Sequence, residues 1–201
     1  MTLVFDEQLS LLEKPKRENI SDDEYELYEK NVEFMEQNWG FSNNLFKVLP
    51  LNSSQYKAFL DFKNSLFSDS CYLSNKDKEM IGVVVSSANS CNYCLTTHGD
   101  ALRGYSKDPA WADKLSYNYR SAVLSPKQRA LCDYAFFVTK YPDEIDKDQV
   151  EKLRAVGFND HEILEAAYVA GFFNYTNRWV STIQPAVNVG HYNHNRQFEE
   201  K

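Results

Sequence analysis

The chain of 201 residues is 43% apolar and carries a formal charge of −7 at pH 7, apolar content enough to build one unit over 1–201 around a real core. The acidic balance argues against a nucleic acid or an anionic membrane as partner, since either needs a basic face, and it favours a small uncharged substrate. No stretch reaches the roughly 18 apolar residues of a membrane span, and Met1-Thr2-Leu3-Val4-Phe5-Asp6-Glu7 lacks the basic start and apolar run of a secretory signal, which predicts a cytoplasmic protein.

With 7 Gly, 6 Pro and no alternating runs bounded by hairpin turns, the chain reads as all-α. Ser21-Asp22-Asp23-Glu24 is a capping box that opens a helix through Tyr25, Tyr28, Val32 and Met35, and Gly40 ends it. Asn52 to Ser54 start a second helix carrying Tyr56, Phe59, Leu60, Phe62 and Leu66. Ser74 starts a third, whose Met80, Ile81, Val83, Val84 and Val85 are too continuously apolar for a surface position and predict a central helix. Ser86 to Ser90 break it, and a new helix follows from about Ser90 to Leu102. Asp108-Pro109 caps a short helix with Trp111 and Leu115. Ser125-Pro126 opens one that buries Leu131, Tyr134, Ala135, Val138 and Tyr141 and stops before Pro142.

Asp146 to Gly157 forms the next helix. Asn159-Asp160 with Glu162 begins a long final one through Ile163, Ala166, Ala167, Ala170 and Phe173, ending before Pro185 and followed by a polar tail over 186–201. Leu73-Ser74-x-Lys76 and Leu124-Ser125-x-Lys127 open two central helices alike, a weak sign of two repeated helical halves. Only the first half carries a site, because Ala130 stands where a counterpart of Glu79 would be and no second cysteine pair follows.

In a reducing cytosol close cysteines serve catalysis, redox sensing or metal binding more often than structure, and of the 4 cysteines only Cys91 and Cys94 are close. Three residues apart at a helix start, their Cα atoms lie about 5 to 5.5 Å apart, within the span of a disulfide. Capping by Ser90 or Asn89 would place the pair in the positive field of the helix N-terminus, which favours thiolate. His98 projects from the same helix face, four residues after Cys94 and seven after Cys91. Glu79 lies upstream on the apolar helix, where a continuous helix would hold it about 18 Å from Cys91. The Ser86 to Ser90 break must therefore fold the chain back, bringing Glu79 into an apolar setting suited to shuttling protons. Glu79 also fits the ordinary preference for acidic residues in a helix's first turn.

Glu79, eleven intervening residues, Cys91-Asn92-Tyr93-Cys94, three residues and His98 resemble the E-x11-C-x-x-C-x3-H motif of the AhpD-like alkylhydroperoxidases, within the carboxymuconolactone decarboxylase superfamily. The motif lies in a redox core over 73–104, and Phe173-Asn174 with Asn177-Arg178 resembles the family's C-terminal pattern. Asn38-Trp39-Gly40 to Leu49-Pro50 resembles its peroxidase-related branch. The resemblance implies an AhpD-like helical bundle, assembly into trimers or hexamers, and reduction of a small hydroperoxide through a Cys–Cys disulfide, with no metal or cofactor. An external dithiol or thiol would supply the electrons. By position, Cys94 resembles the peroxidatic thiol, Cys91 the resolving one, and Glu79 and His98 the proton relay. Tyr93 departs from the pattern, occupying the place of a second histidine in the founding enzymes. Decarboxylase members generally lack the cysteine pair.

The helix field favours attack by Cys91, whereas His98 at i+4 and the resemblance favour Cys94; the need to protonate the departing oxygen decides for Cys94. Two other readings stand beside the peroxidase: a thiol-disulfide oxidoreductase or redox sensor, and a zinc-stabilised interaction domain built on two thiolates and an imidazole. Cys132 reads as a core residue, Cys71 as a loop thiol and His161 as solvated. His191 and His194, in the tail, read as part of a disordered or partner-packed segment rather than as metal ligands.

Overall fold

In the computed structural model, which describes residues 9–197, every regular element among the described residues is helical. The stretch through Glu7 and the last residues of the polar tail lie outside the described residues. α1 (Asp22–Trp39) opens with the expected capping box, in which Ser21 and Glu24 satisfy each other's backbone N–H groups, and Gly40 closes it at φ 75°. Of its apolar stripe only Met35 is buried, because α1 lies outermost, against the next short helix rather than across the core. That helix, α2 (Asn44–Val48), continues into a 3-10 turn over Leu49–Asn52. Neither was predicted, since five residues are too few to show a helical period.

α3 (Ser53–Leu66) is capped by Asn52 and buries Tyr56, Leu60 and Leu66, whereas Phe62 is exposed. α4 (Asn75–Ala88), capped by Ser74, is buried without a gap from Lys78 to Ser86. The remaining helices are α5 (Asn92–Ser106), α6 (Pro109–Asn118), α7 (Pro126–Lys140), α8 (Lys147–Ala155), α9 (Asp160–Ile183) and α10 (Gly190–Asn193). α4 touches α5, α6, α7 and α9, the central position its continuous apolar run predicted. α7 has Ser125 in a capping box with Gln128 and buries Leu131, Tyr134 and Ala135. Val138 is half-buried, and Tyr141, placed beyond the last turn, is exposed against Phe137. Ser74 and Ser125 thus open two central helices in the same way, as their shared tetrapeptide indicated.

Two features fix α9 against α4. Gly82 lets the Phe173 ring lie flush on the α4 backbone, where a Cβ would stand 2.8 Å from two ring carbons. The wholly buried Lys78 ammonium lies 3.1 Å from Glu165, angled so that it completes no hydrogen bond to that oxygen. The other Glu165 oxygen accepts the N–H groups of Tyr72 at 2.6 Å and Leu73 at 3.2 Å, tying the entry of α4 to α9. No helix among the described residues is long and apolar enough to cross a membrane.

The tail corrects the expectation of a disordered or partner-packed segment. It folds back on the body: His191 is buried, edge-on to Phe41 and bonded to Asp100 at 2.7 Å and to Asn43. Arg103 donates to the His191 carbonyl at 2.5 Å, and Asn195 donates to Asp100 at 2.9 Å. Burial alone would raise the Asp100 carboxyl, but bonds from His191 and Asn195 and the His191 charge hold it below its ordinary value.

Candidate active site

The chain reversal that brings the site together is shorter than expected. The predicted break over Ser86 to Ser90 is instead a continuation of α4 to Ala88, because Ser86 and Ser87 commit their hydroxyls to distant partners rather than to local turns. Ser86 accepts the Asn177 amide at 3.1 Å, and Ser87 donates to the Tyr117 carbonyl at 3.4 Å. Asn89 and Ser90 then make the turn, with Ser90 in the left-handed region at φ 56° and the Cys91 N–H on the Ser86 carbonyl at 2.9 Å. Neither Ser90 nor Asn89 caps α5. Cys91 itself holds the N-cap position, with no side-chain cap bond, and α5 runs on past Leu102 to Ser106.

This tight reversal sets the first turns of α5 beside α4. Glu79, 5% exposed, reaches His98 Nδ1 at 2.8 Å, and the His98 ring stands edge-on to Phe173 at 4.6 Å. Because a carboxylate only accepts, Nδ1–H donates and Nε2 is left for proton exchange. The Cys91 and Cys94 sulfurs are free thiols 2.6 Å apart, wider than the about 2.05 Å of a disulfide and closer than van der Waals contact. Contact with the Cys94 thiol brings Cys91 down to about 6 against the opposing pull of burial, and the same contact, with burial, pushes Cys94 up. Asn177 and Ser181, one turn apart on α9, act on the pair from behind: Asn177 favours a thiolate on Cys94 and Ser181 one on Cys91.

A cavity of about 560 Å³ opens in front of the pair, lined by Glu79, His98 and, of the two sulfurs, by Cys94. Rings form much of the rest: Phe59 stacks on Phe172 at 5.6 Å and meets Trp179 edge-on at 5.6 Å, and all three line the space. Lys63 reaches it from α3, Asp100 from α5, and His191 and His194 from the docked tail. All four residues singled out from the sequence, Glu79, Cys91, Cys94 and His98, therefore converge. Tyr93, standing where a second histidine was expected, lines the cavity; its hydroxyl accepts the Leu45 N–H at 3.3 Å and burial raises its pKa. It anchors α2 against α5.

Sequence reasoning missed Asn177, Lys63 and the Asp100 and His191 pair. Asn177 had a signal, the motif at Asn177-Arg178, but nothing local says that it faces the sulfurs. Cys132 is buried with its thiol pushed up to about 12 by burial, and Cys71 donates to the Ser65 and Leu66 carbonyls, both as expected. His161 is exposed and stacks on Tyr72 at 4.7 Å. Among the described residues no group of three or more His, Cys, Asp or Glu side chains is placed to hold a metal ion.

An all-helical scaffold here presents a buried Cys-x-x-Cys pair beside a Glu–His couple. Residues 55–137 match the carboxymuconolactone decarboxylase family. The crystal structure of an uncharacterized peroxidase-related protein from Ralstonia eutropha JMP134, described as an alkylhydroperoxidase AhpD core, is 31% identical at TM-score 0.88, over 96% of this chain and 100% of that one. An uncharacterized peroxidase-related protein from Silicibacter sp. TM1040 is 35% identical at TM-score 0.87, with the same coverage of 96% and 100%. The debrominase Bmp8, at 18% identity and TM-score 0.71 over 92% of this chain and 94% of its own, shares the fold. No functionally curated protein matches the sequence. The chain belongs to the carboxymuconolactone decarboxylase family, among its AhpD-like peroxidase-related proteins.

Proposed function

We propose that the protein is a hydroperoxide reductase whose Cys91 and Cys94 cycle through an intramolecular disulfide. The observation that carries this reading is the 2.6 Å thiol pair with Cys94 at the wall of a cavity shared by the Glu79–His98 couple. Cys94 passes its proton to the Cys91 thiolate, leaving the thiolate on Cys94. Its sulfur lone pair forms an S–O bond to the terminal peroxide oxygen as the O–O bond breaks, giving a sulfenic acid and an alkoxide. His98, positioned by Glu79, protonates the alkoxide to the alcohol and is reprotonated from solvent. The Cys91 thiol attacks the sulfenic sulfur, closing the disulfide and releasing water. An external dithiol restores both thiols by exchange in a reducing compartment such as the cytoplasm. Both thiols are nearly inaccessible, at 2% and 4% exposed, which favours a small peroxide over the disulfide of a folded protein as oxidant.

Stopped-flow mixing of reduced protein with an organic hydroperoxide tests this. Both thiols are expected to be lost far faster than free cysteine reacts, and Cys94→Ser to abolish the fast phase. Loss no faster than free cysteine, unchanged by Cys94→Ser, defeats the peroxidase reading. Stoichiometric zinc held by Cys91 and Cys94 in freshly purified protein would replace it with the zinc-stabilised domain.

A further inference from the structure

The cavity in front of Cys94 has a charge pattern that the thiol chemistry does not use. Both carboxylates in its wall are matched: Glu79 by His98 at 2.8 Å, and Asp100 by His191 at 2.7 Å and Asn195 at 2.9 Å. Lys63 also lines the cavity, and its ammonium forms no hydrogen bond or ion pair with any described residue. It is a half-buried cation on the stripe of α3 that carries Phe59 and Lys63 and ends at Phe67 just past the helix, the three spaced four residues apart and all lining the same space. Burial lowers the pKa of the ammonium while only the field of Glu79 works the other way. A desolvated cation beside an open cavity is stabilised by an anion brought in by a ligand.

The apolar part of the wall sets the rest of that ligand. About 560 Å³ is far more space than hydrogen peroxide needs and falls in the range that encloses a drug-sized molecule. Phe46, Phe59, Phe67, Phe172 and Trp179 offer ring faces for a hydrocarbon body. Lys107 lines the cavity as well but already has a partner, so Lys63 is left to match one negative charge, whereas a phosphate dianion would leave a second charge in the field of Glu79. We propose that the cavity takes an amphipathic organic hydroperoxide, with its hydrocarbon body on the ring wall, its carboxylate on Lys63 and its peroxide at Cys94. The peroxide end rests on the hydroperoxide-reductase reading; the carboxylate site does not.

Two arms separate these claims. In the binding arm, Cys94→Ser protein is titrated with the hydroxy acid derived from linoleic acid and with its methyl ester, below their micelle concentrations, by fluorescence of Trp39 and Trp179 at the cavity wall. The acid is expected to bind about tenfold more tightly than the ester, the gain of one charge-assisted contact. Lys63→Met should bring that ratio to about one and Lys63→Arg should restore it. In the reaction arm, reduced wild-type protein meets linoleic acid hydroperoxide and its methyl ester, and the acid is expected to show the lower KM. Equal binding of acid and ester, no binding of either, or a preference that survives Lys63→Met overturns the carboxylate site. Lys63-dependent binding without thiol oxidation keeps the site and overturns the peroxidase reading instead.

Discussion

The two thiols are chemically alike and three residues apart, yet their surroundings divide them: Cys91 is stabilised as the thiolate, while Cys94 lines the cavity. A carboxylate, an imidazole and two sulfurs then need only one proton in motion to make either sulfur nucleophilic. Because Cys91 is brought down to about 6 from 9.0, the reduced pair carries a thiolate above about pH 6 and loses it as pH falls through that value. Alkylation of reduced protein by iodoacetamide should therefore rise through about pH 6, and Cys94→Ser, which removes the stabilising thiol, should move the midpoint up toward an ordinary thiol near 8.5. A midpoint near 8.5 in both proteins would show that Cys94 does not stabilise a Cys91 thiolate. Cys132, pushed up to about 12, should stay silent throughout. At this scale the site was legible in the sequence because Cys91, Cys94 and His98 sit within eight residues on one helix, where spacing fixes their relation. Lys63 and Asn177 were not, because their roles depend on which helices meet, and no local spacing encodes that.

Among the elements, the contact between α4 and α9 holds the Glu79–His98 couple in place. Gly82 lies three residues after Glu79 on α4, and the Phe173 ring that it admits is the ring on which His98 stands. Gly82→Ala should push Phe173 outward, costing about 1–3 kcal/mol in urea unfolding, and should slow thiol oxidation through the displaced His98. Unchanged stability and rate would mean that Phe173 moves freely and does not position the imidazole. Helix starts were read well at Ser21, Ser74, Ser125 and Asn159, since each cap is a local hydrogen bond written in a few residues. The α4–α5 turn was placed too early because a serine run resembles a break, and only the partners of Ser86 and Ser87, on α9 and at the end of α6, show that these hydroxyls are occupied elsewhere. The docking of the tail was hidden for the same reason. A polar segment can be ordered by buried partners such as Asp100 and Asn43 that lie 91 and 148 residues away.

For the molecule as a whole, net charge and the cavity wall bear on the ligand differently. A balance of −7 favours an uncharged substrate, but it sums mostly surface side chains and does not resolve the lysine at the cavity wall. Interior charge elsewhere is paired, and Lys78 with Glu165 is the deepest case. Burial alone would raise the Glu165 carboxyl, yet the Tyr72 and Leu73 N–H groups and the Lys78 ammonium hold it below the ordinary carboxylate value. Its ionised form therefore contributes stability above that ordinary value, and the contribution is lost as pH falls through the lower folded-state value. Glu165→Gln should unfold more easily than wild type at pH 7, and the difference should shrink on acidification as the wild type loses the same charge. Lys78→Met, which leaves the buried carboxylate without its cation, should cost about 3 kcal/mol by urea unfolding at pH 7. Adding Glu165→Leu to Lys78→Met should recover part of that loss, because an apolar pair removes the uncompensated charge, although the Tyr72 and Leu73 N–H groups then lose their acceptor. A double variant less stable than Lys78→Met alone would show that those two backbone bonds, rather than the ion pair, fasten the entry of α4 to α9.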